Sequence, residues 1–153
     1  MTDGSTAIPE VHALLRVLAA DRDVLELGSA FGVGAAALAE TARSVVTVES
    51  DPERAAATRE RVRDLPNVRA LAGDWRQVDG TYGLVFADHG DYEWERILRL
   101  TAVGGYIVKD DLTPGRPIDG DPVREFLLRD PRLAAAEILT RPDAAAIVAV
   151  RVA

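Results

Sequence analysis

Val24-Leu25-Glu26-Leu27-Gly28-Ser29-Ala30-Phe31-Gly32-Val33-Gly34 reads as the end of one element and the start of another. Residues 23–27 (DVLEL) form a short apolar run of strand length that stops at a glycine. Residues 33–41 are alanine-rich and helical in pattern. A strand passing into a helix through a glycine turn is the first half of a βα unit. Gly28 lets the backbone turn sharply, and Gly32 is expected to let a ligand approach the helix start. The spacing G-x-x-x-G-x-G is not the G-x-G-x-x-G of pyrophosphate binding, and taken alone such a turn is weak evidence, because some simply connect strand to helix.

The same alternation continues on both sides. Upstream, Ser5-Thr6 can cap a first helix that carries Pro9 in its opening turn and Val11, Leu14, Leu15, Val17 and Leu18 as apolar positions. Downstream, residues 44–48 (SVVTV) are β-branched and predict a second strand. Asp51-Pro52-Glu53 starts a helix with a capping acid, a proline and a first-turn acid, and that helix runs to about 64. A third strand follows at 68–72, and a fourth at 82–87 (YGLVFA) is apolar throughout, as a strand buried on both faces must be. Residues 92–100 predict a helix, Gly104-Gly105 a turn, 106–108 the opening of a fifth strand, and 123–129 another helix. The final strands, 135–139 and 145–152, leave only 140–144 between them, too little for a crossover helix and enough for an antiparallel hairpin. The fold expected is therefore α/β: a doubly wound, Rossmann-like, mostly parallel sheet of seven strands ending in a C-terminal antiparallel hairpin, in a single domain over 1–153.

Composition narrows the function. A chain of 153 residues, 48% of them apolar, can bury a self-sufficient core. It has no cysteine, which removes disulfides, thiolate nucleophiles and Cys-type zinc sites and fits the cytoplasm. No apolar run is long enough for a membrane span, and the first residues lack the basic and apolar regions of a secretory signal. The net charge of −7 argues against nucleic acid, because Arg54, Arg59, Arg61 and Arg63 are interleaved with acids rather than gathered in a basic stripe.

Ligands of open α/β sheets bind beyond the carboxyl ends of the strands, and this chain's glycines and acids fall at those ends. Glu49 closes the second strand about twenty residues past the glycine turn, where a carboxylate can take both hydroxyls of a ribose. Asp51 already serves as the helix cap, which leaves Glu49 free of that duty. The third strand ends in Gly73-Asp74-Trp75, where Asp74 can accept from an exocyclic amine and Trp75 can stack on an adenine; Trp75 can equally be an ordinary half-buried aromatic.

With these segments in view, the sequence resembles the class I S-adenosylmethionine-dependent methyltransferases, and within them the cation-dependent O-methyltransferases typified by catechol O-methyltransferase. The likeness covers about 24–115 and rests on VLELGSAFGVG, TVESDPERAA, Gly73-Asp74-Trp75, VFADHGDY and GGYIVKDDLTPG. The resemblance implies that Glu26, Gly28 and Ser29 line the methionine part of the cofactor, that Glu49 holds the ribose, and that Asp74 and Trp75 flank the adenine. It adds Gly32, Ser50, Gly73 and Asp88 to the cofactor site. It also implies a magnesium ion on Asp88, Asp110 and Asp111, with Asp111 standing where the family has Asn. Two vicinal oxygens of a small hydroxylated acceptor would then chelate the ion, which would lower the pKa of the reacting hydroxyl.

The sequence departs from the family in two ways. The family's general base is a Lys three residues after the first metal Asp, and Asp91 stands there; His89, beside Asp88, is the nearest replacement able to move a proton near neutrality. Lys109 adjoins Asp110, but strand alternation directs it to the other face. Relatives also carry longer N-terminal helices over the pocket. Here the pocket is open, completed by a second subunit in a homodimer, or narrowed by the proline-rich stretch 112–122, which reads equally as a surface turn. The leading expectation is an O-methyltransferase acting on a small molecule. Its alternatives are a metal-independent small-molecule methyltransferase and a non-catalytic cofactor-binding module of a larger complex.

Overall fold

A computed structural model of the chain describes residues 6–88 and 92–153. Seven strands build one sheet: β1 (Asp23–Leu27), β2 (Ser44–Glu49), β3 (Val68–Ala72), β4 (Tyr82–Ala87), β5 (Thr101–Leu112), β6 (Leu133–Arg141) and β7 (Ala144–Arg151). Their order is β3-β2-β1-β4-β5-β7-β6. β1 to β5 pair in parallel, and β7 runs antiparallel to both neighbours, β5 and β6. This is the doubly wound, Rossmann-like sheet with a C-terminal antiparallel hairpin that the sequence leads one to expect.

Strand alternation divides the core in two. Val24, Leu84, Phe86 and Val108 face α1 (Pro9–Ala19) and α2 (Val33–Ala39), packing with Val11, Leu15, Ala35 and Leu38. Leu25, Leu27, Val85 and Ile107 face α4 (Trp94–Leu100) and α5 (Pro122–Arg129), against Ile97, Leu98 and Leu127. Covering both faces is what requires β1 and β4 to be apolar almost without interruption. α3 (Pro52–Val62) packs beside β3. Its start is as expected: Asp51 accepts the backbone N–H of Arg54 at 2.9 Å, ahead of Pro52.

Three boundaries differ from expectation for identifiable reasons. The N-cap of α1 is Ile8, with no side-chain cap; Thr6 does not fill that role, and Ser5 lies outside the described residues. Pro9 supplies the start instead, since its fixed φ suits the first helical position. β5 begins at Thr101, not after the glycine pair. Pairing jumps from Tyr82↔Thr101 to Leu84↔Tyr106, so Gly104-Gly105 is an irregularity inside the strand. A Cβ on Gly105 would meet the carbonyl oxygens of Ala102, Gly83 and Tyr82 at 2.9, 3.1 and 3.1 Å, which only glycine avoids. The final hairpin is longer than expected and leaves Pro142 and Asp143 as its turn.

Residues 113–121 do not hang free. The buried Arg124 donates from Nε and Nη2 to Glu137 at 2.8 and 2.7 Å, from Nη1 to Asp121 at 2.6 Å, and from Nη2 to the Thr113 carbonyl at 2.8 Å. One guanidinium thus joins both ends of the stretch to β6.

Candidate functional site

The strand order reverses between β1 and β4, and the expected site residues gather beyond the carboxyl ends of β1, β2, β4 and β5. The β1–α2 turn has an unusual backbone. Gly28 (φ +91°), Ala30 (φ +46°) and Gly32 (φ +82°) all take left-handed conformations. Such a φ is costly for Ala30, and the surroundings hold it in place. Its N–H donates to Glu49 Oε2 at 2.9 Å, and its carbonyl accepts from Thr58 Oγ1 at 3.1 Å. Gly28 and Ser29 both donate to the Val48 carbonyl, which ties the turn to β2.

Glu49 is buried at 7% exposure. Its Oε1 accepts the Asp51 N–H at 3.0 Å, so each carboxylate oxygen holds one backbone donor and keeps a further lone pair. The Gly73 N–H donates to the Glu49 carbonyl at 2.9 Å, which brings the β3 turn alongside. A Cβ added to Gly73 would meet nothing within 4 Å, so this side is open. Ser50 is exposed at the end of β2. Asp74 caps a 3-10 turn (Trp75–Gln77) by accepting the Arg76 N–H at 2.9 Å, and it pairs with the Arg76 guanidinium. Trp75 is half-buried, with the Tyr92 ring 5.6 Å away edge-on and Arg76 5.4 Å over its face. The aromatic row continues through Trp94 to Phe126. Tyr92 also donates its hydroxyl to the Leu27 carbonyl at 3.0 Å.

Gly32 is also packed closely: its missing Cβ faces α3, where an added carbon would lie 3.2 Å from Thr58 Cα. Gly34 does something similar for Glu26: a Cβ there would overlap Glu26 Oε2. Glu26 is fully buried, and its Oε1 accepts the Thr47 hydroxyl at 2.6 Å. Its Oε2 has no hydrogen-bond partner among the described residues. Burial pushes this carboxyl up to about 7; the Asp110 and Glu49 charges add to the rise, and the Thr47 bond opposes it.

Asp88 continues from β4, its N–H donating to the Leu27 carbonyl at 3.1 Å. Burial, then the Asp110 and Glu26 charges, push its carboxyl up to about 9, while Lys109 works against that rise. Asp110 is 3% exposed and is pushed up to about 6 by burial, again against Lys109; its Oδ1 has no hydrogen-bond partner among the described residues. Asp111 behaves differently. It is exposed, in a left-handed conformation (φ +58°), at a bulge where β5 carries one residue more than β7 between Lys109↔Ile147 and Leu112↔Ala145.

The expected metal trio is therefore not assembled as a ligand set. Among the described residues, no group of three or more His, Asp or Glu is arranged to hold a metal ion. Asp88 and Asp110 are the more buried acids, while Asp111 is exposed at the bulge and adds its charge to both. A hard divalent cation needs several converging oxygens, which the described residues alone do not supply. His89 and Asp91 lie outside the described residues.

Lys109 is the residue that sequence reasoning set aside. It follows Val108 by one position and so belongs by parity to the α4–α5 side, as expected. Its long side chain nevertheless brings Nζ back to the strand end, where it donates to the Asp110 carbonyl at 2.8 Å and lies 4.0 Å from Asp110 Oδ1. The signal for it was a lone cation at the end of the apolar run Tyr106-Ile107-Val108, directly before two acids.

Comparison with known proteins agrees with this architecture. The chain has the class I S-adenosylmethionine-dependent methyltransferase fold. It superposes with a TM-score of 0.75 on the O-methyltransferase TomG from Streptomyces achromogenes in complex with S-adenosylmethionine, at 20% identity, covering all of this chain and 84% of that one. The tRNA m1G37 methyltransferase of M. jannaschii gives 0.76 at 12% identity, covering 95% of this chain and 51% of that one. In sequence, the chain is 33% identical over 102 residues to a protein-L-isoaspartate O-methyltransferase from Picosynechococcus sp., over 63% of this chain. It spans under half, 46%, of that relative's length. No protein-family model matches the chain.

Proposed function

We propose that this protein is an S-adenosylmethionine-dependent methyltransferase, in one domain over residues 1–153, that transfers the methyl group to a hydroxyl of a small molecule. The observation that carries the reading is Glu49: a buried carboxylate at the end of β2, oriented by two backbone N–H groups and bordered by the open side of Gly73. A carboxylate held in this way is ready to accept from two adjacent hydroxyls, as a ribose presents them. In this reading Gly28 and Ser29 border the methionine part, with Glu26 beneath it, and Ser50 and Asp74 border the nucleoside. Trp75 offers the adenine the part of its ring left by Tyr92 and Arg76, and Asp88 stands at the reacting end.

The bound cofactor would supply an electrophilic methyl on sulfur. The acceptor oxygen would take that methyl, with the S–C pair going to sulfur and the hydroxyl proton to a base of the site. What the chain contributes is alignment of the two reactants, which accounts for much of the rate in such displacements. His89, with its neighbour Asp88, is the proposed route for the proton. The net charge of −7 favours a small acceptor over RNA.

Calorimetric titration with S-adenosylhomocysteine tests the reading. Wild type should bind, and Glu49→Ala should lose at least tenfold in affinity, with its melting temperature recorded alongside to detect collapse of the Ala30 turn. Undiminished binding by a folded Glu49→Ala would remove Glu49 from the site. Binding of NAD in place of S-adenosylhomocysteine would overturn the reading altogether.

A further inference from the structure

The buried ammonium of Lys109 stands at the ends of β4 and β5, where the resemblance assigns a divalent cation. It is 8% exposed, so its charge is not dispersed into solvent. Its Nζ is anchored on the Asp110 carbonyl at 2.8 Å and lies 4.0 Å from Asp110 Oδ1, an oxygen with no hydrogen-bond partner among the described residues. A second positive ion on that carboxylate would face a fixed charge a few ångströms away, in surroundings that screen poorly. Asp111, exposed and in a left-handed conformation at the β5 bulge, is not gathered with Asp88 and Asp110 into a three-residue metal set among the described residues.

We infer that Lys109 is a positioning residue that supplies, from within the chain, the positive charge beside Asp110 at the strand ends, and that methyl transfer by this protein needs no divalent ion. This rests on the methyltransferase reading above and deepens it. An acceptor held without chelation does not require two vicinal oxygens, so a single hydroxyl suffices. Asp110 then acts as a fixed wall of the site, with Lys109 holding it in place.

The test is Mn2+ binding, read by electron paramagnetic resonance on the full chain, with and without S-adenosylhomocysteine. Wild type is expected to take up no Mn2+ at millimolar concentration and to bind S-adenosylhomocysteine equally in EDTA. Lys109→Met should bind Mn2+ at least tenfold more tightly than wild type, and Asp110→Asn in that background should abolish the gain. Lys109→Arg, which keeps the charge, should refuse Mn2+ as wild type does. Mn2+ uptake by wild type that Asp110→Asn removes would overturn the inference, as would a folded Lys109→Met that still refuses the ion. If Lys109→Met does not fold, Lys109→Gln takes its place with the same two outcomes. Failure of wild type to bind S-adenosylhomocysteine would count against the methyltransferase reading instead, leaving the Mn2+ result to stand on its own.

Discussion

Gly32 shows what tertiary packing adds to a residue that the local pattern marks. The sequence marks it as a glycine at a helix start; the structure gives it a φ of +82° and presses its α-carbon against Thr58 of α3. An alanine there would meet both obstacles. The left-handed backbone costs about 1–2 kcal/mol for a residue with a Cβ, and a contact with backbone at 3.2 Å is not relieved by turning a side chain. Gly32→Ala is therefore expected to lower stability by about 2 kcal/mol, measured by urea denaturation. Unchanged stability would mean that α3 moves freely, and the packing account would fail. Glu49 is the opposite case: its place at the end of β2 was legible from spacing alone, but its grip on the Ala30 N–H was not, because a positive φ on alanine leaves no mark in a sequence.

Among the elements, the stretch from 113 to 121 was open to two readings, lid or surface turn. Arg124 decides how it is anchored. Its guanidinium, 1% exposed, bonds to Asp121, Glu137 and the Thr113 carbonyl, so the base of the stretch is joined to α5 and β6. Removing the cation would strand two partly buried carboxylates. Arg124→Met is expected to cost about 3 kcal/mol, and amide exchange in 113–121 should speed up along with the fall in stability. Equal exchange rates in the two proteins would show that the stretch is held by something else. Nothing in the local pattern announces this: an arginine in a short amphipathic helix reads as a solvated position until β6 is laid beside it.

For the molecule as a whole, the main consequence is electrostatic. Glu26, Asp88 and Asp110 come from three strands separated by long stretches of chain, and only the sheet brings them together. All three carboxyls are raised, so the folded state holds protons that the unfolded chain gives up. The sign follows directly: stability falls as pH rises from the ordinary carboxylate range towards the folded values. For Glu26 the window runs from 4.5 to about 7. The cofactor-free protein is expected to melt at progressively lower temperature from pH 5 to about pH 8. Glu26→Gln, whose amide oxygen still accepts from Thr47, should make that decline shallower, leaving the Asp88 and Asp110 contributions, and be about 3 kcal/mol more stable than wild type at the upper end. A Glu26→Gln profile parallel to wild type across the range would count against burial as the cause.

What the sequence determined by itself was everything that depends on near neighbours along the chain. Strand and helix periods, the Asp51-Pro52 helix start, the glycine turn after β1 and the short link before β7 gave a doubly wound sheet with a terminal hairpin, because those signals are local and the topology rules leave few alternatives. The position of Glu49 followed from the same logic. Tertiary structure alone decided the charge pattern at the strand ends. One extra residue on β5 turns Asp111 outward, and a side chain as long as Lys109 reaches back around the strand end despite its parity. Alternation predicts the direction of a Cβ, not the destination of an ammonium several bonds further on. A stretch that reads along the chain as a run of acids also holds, in space, a buried lysine beside Asp110.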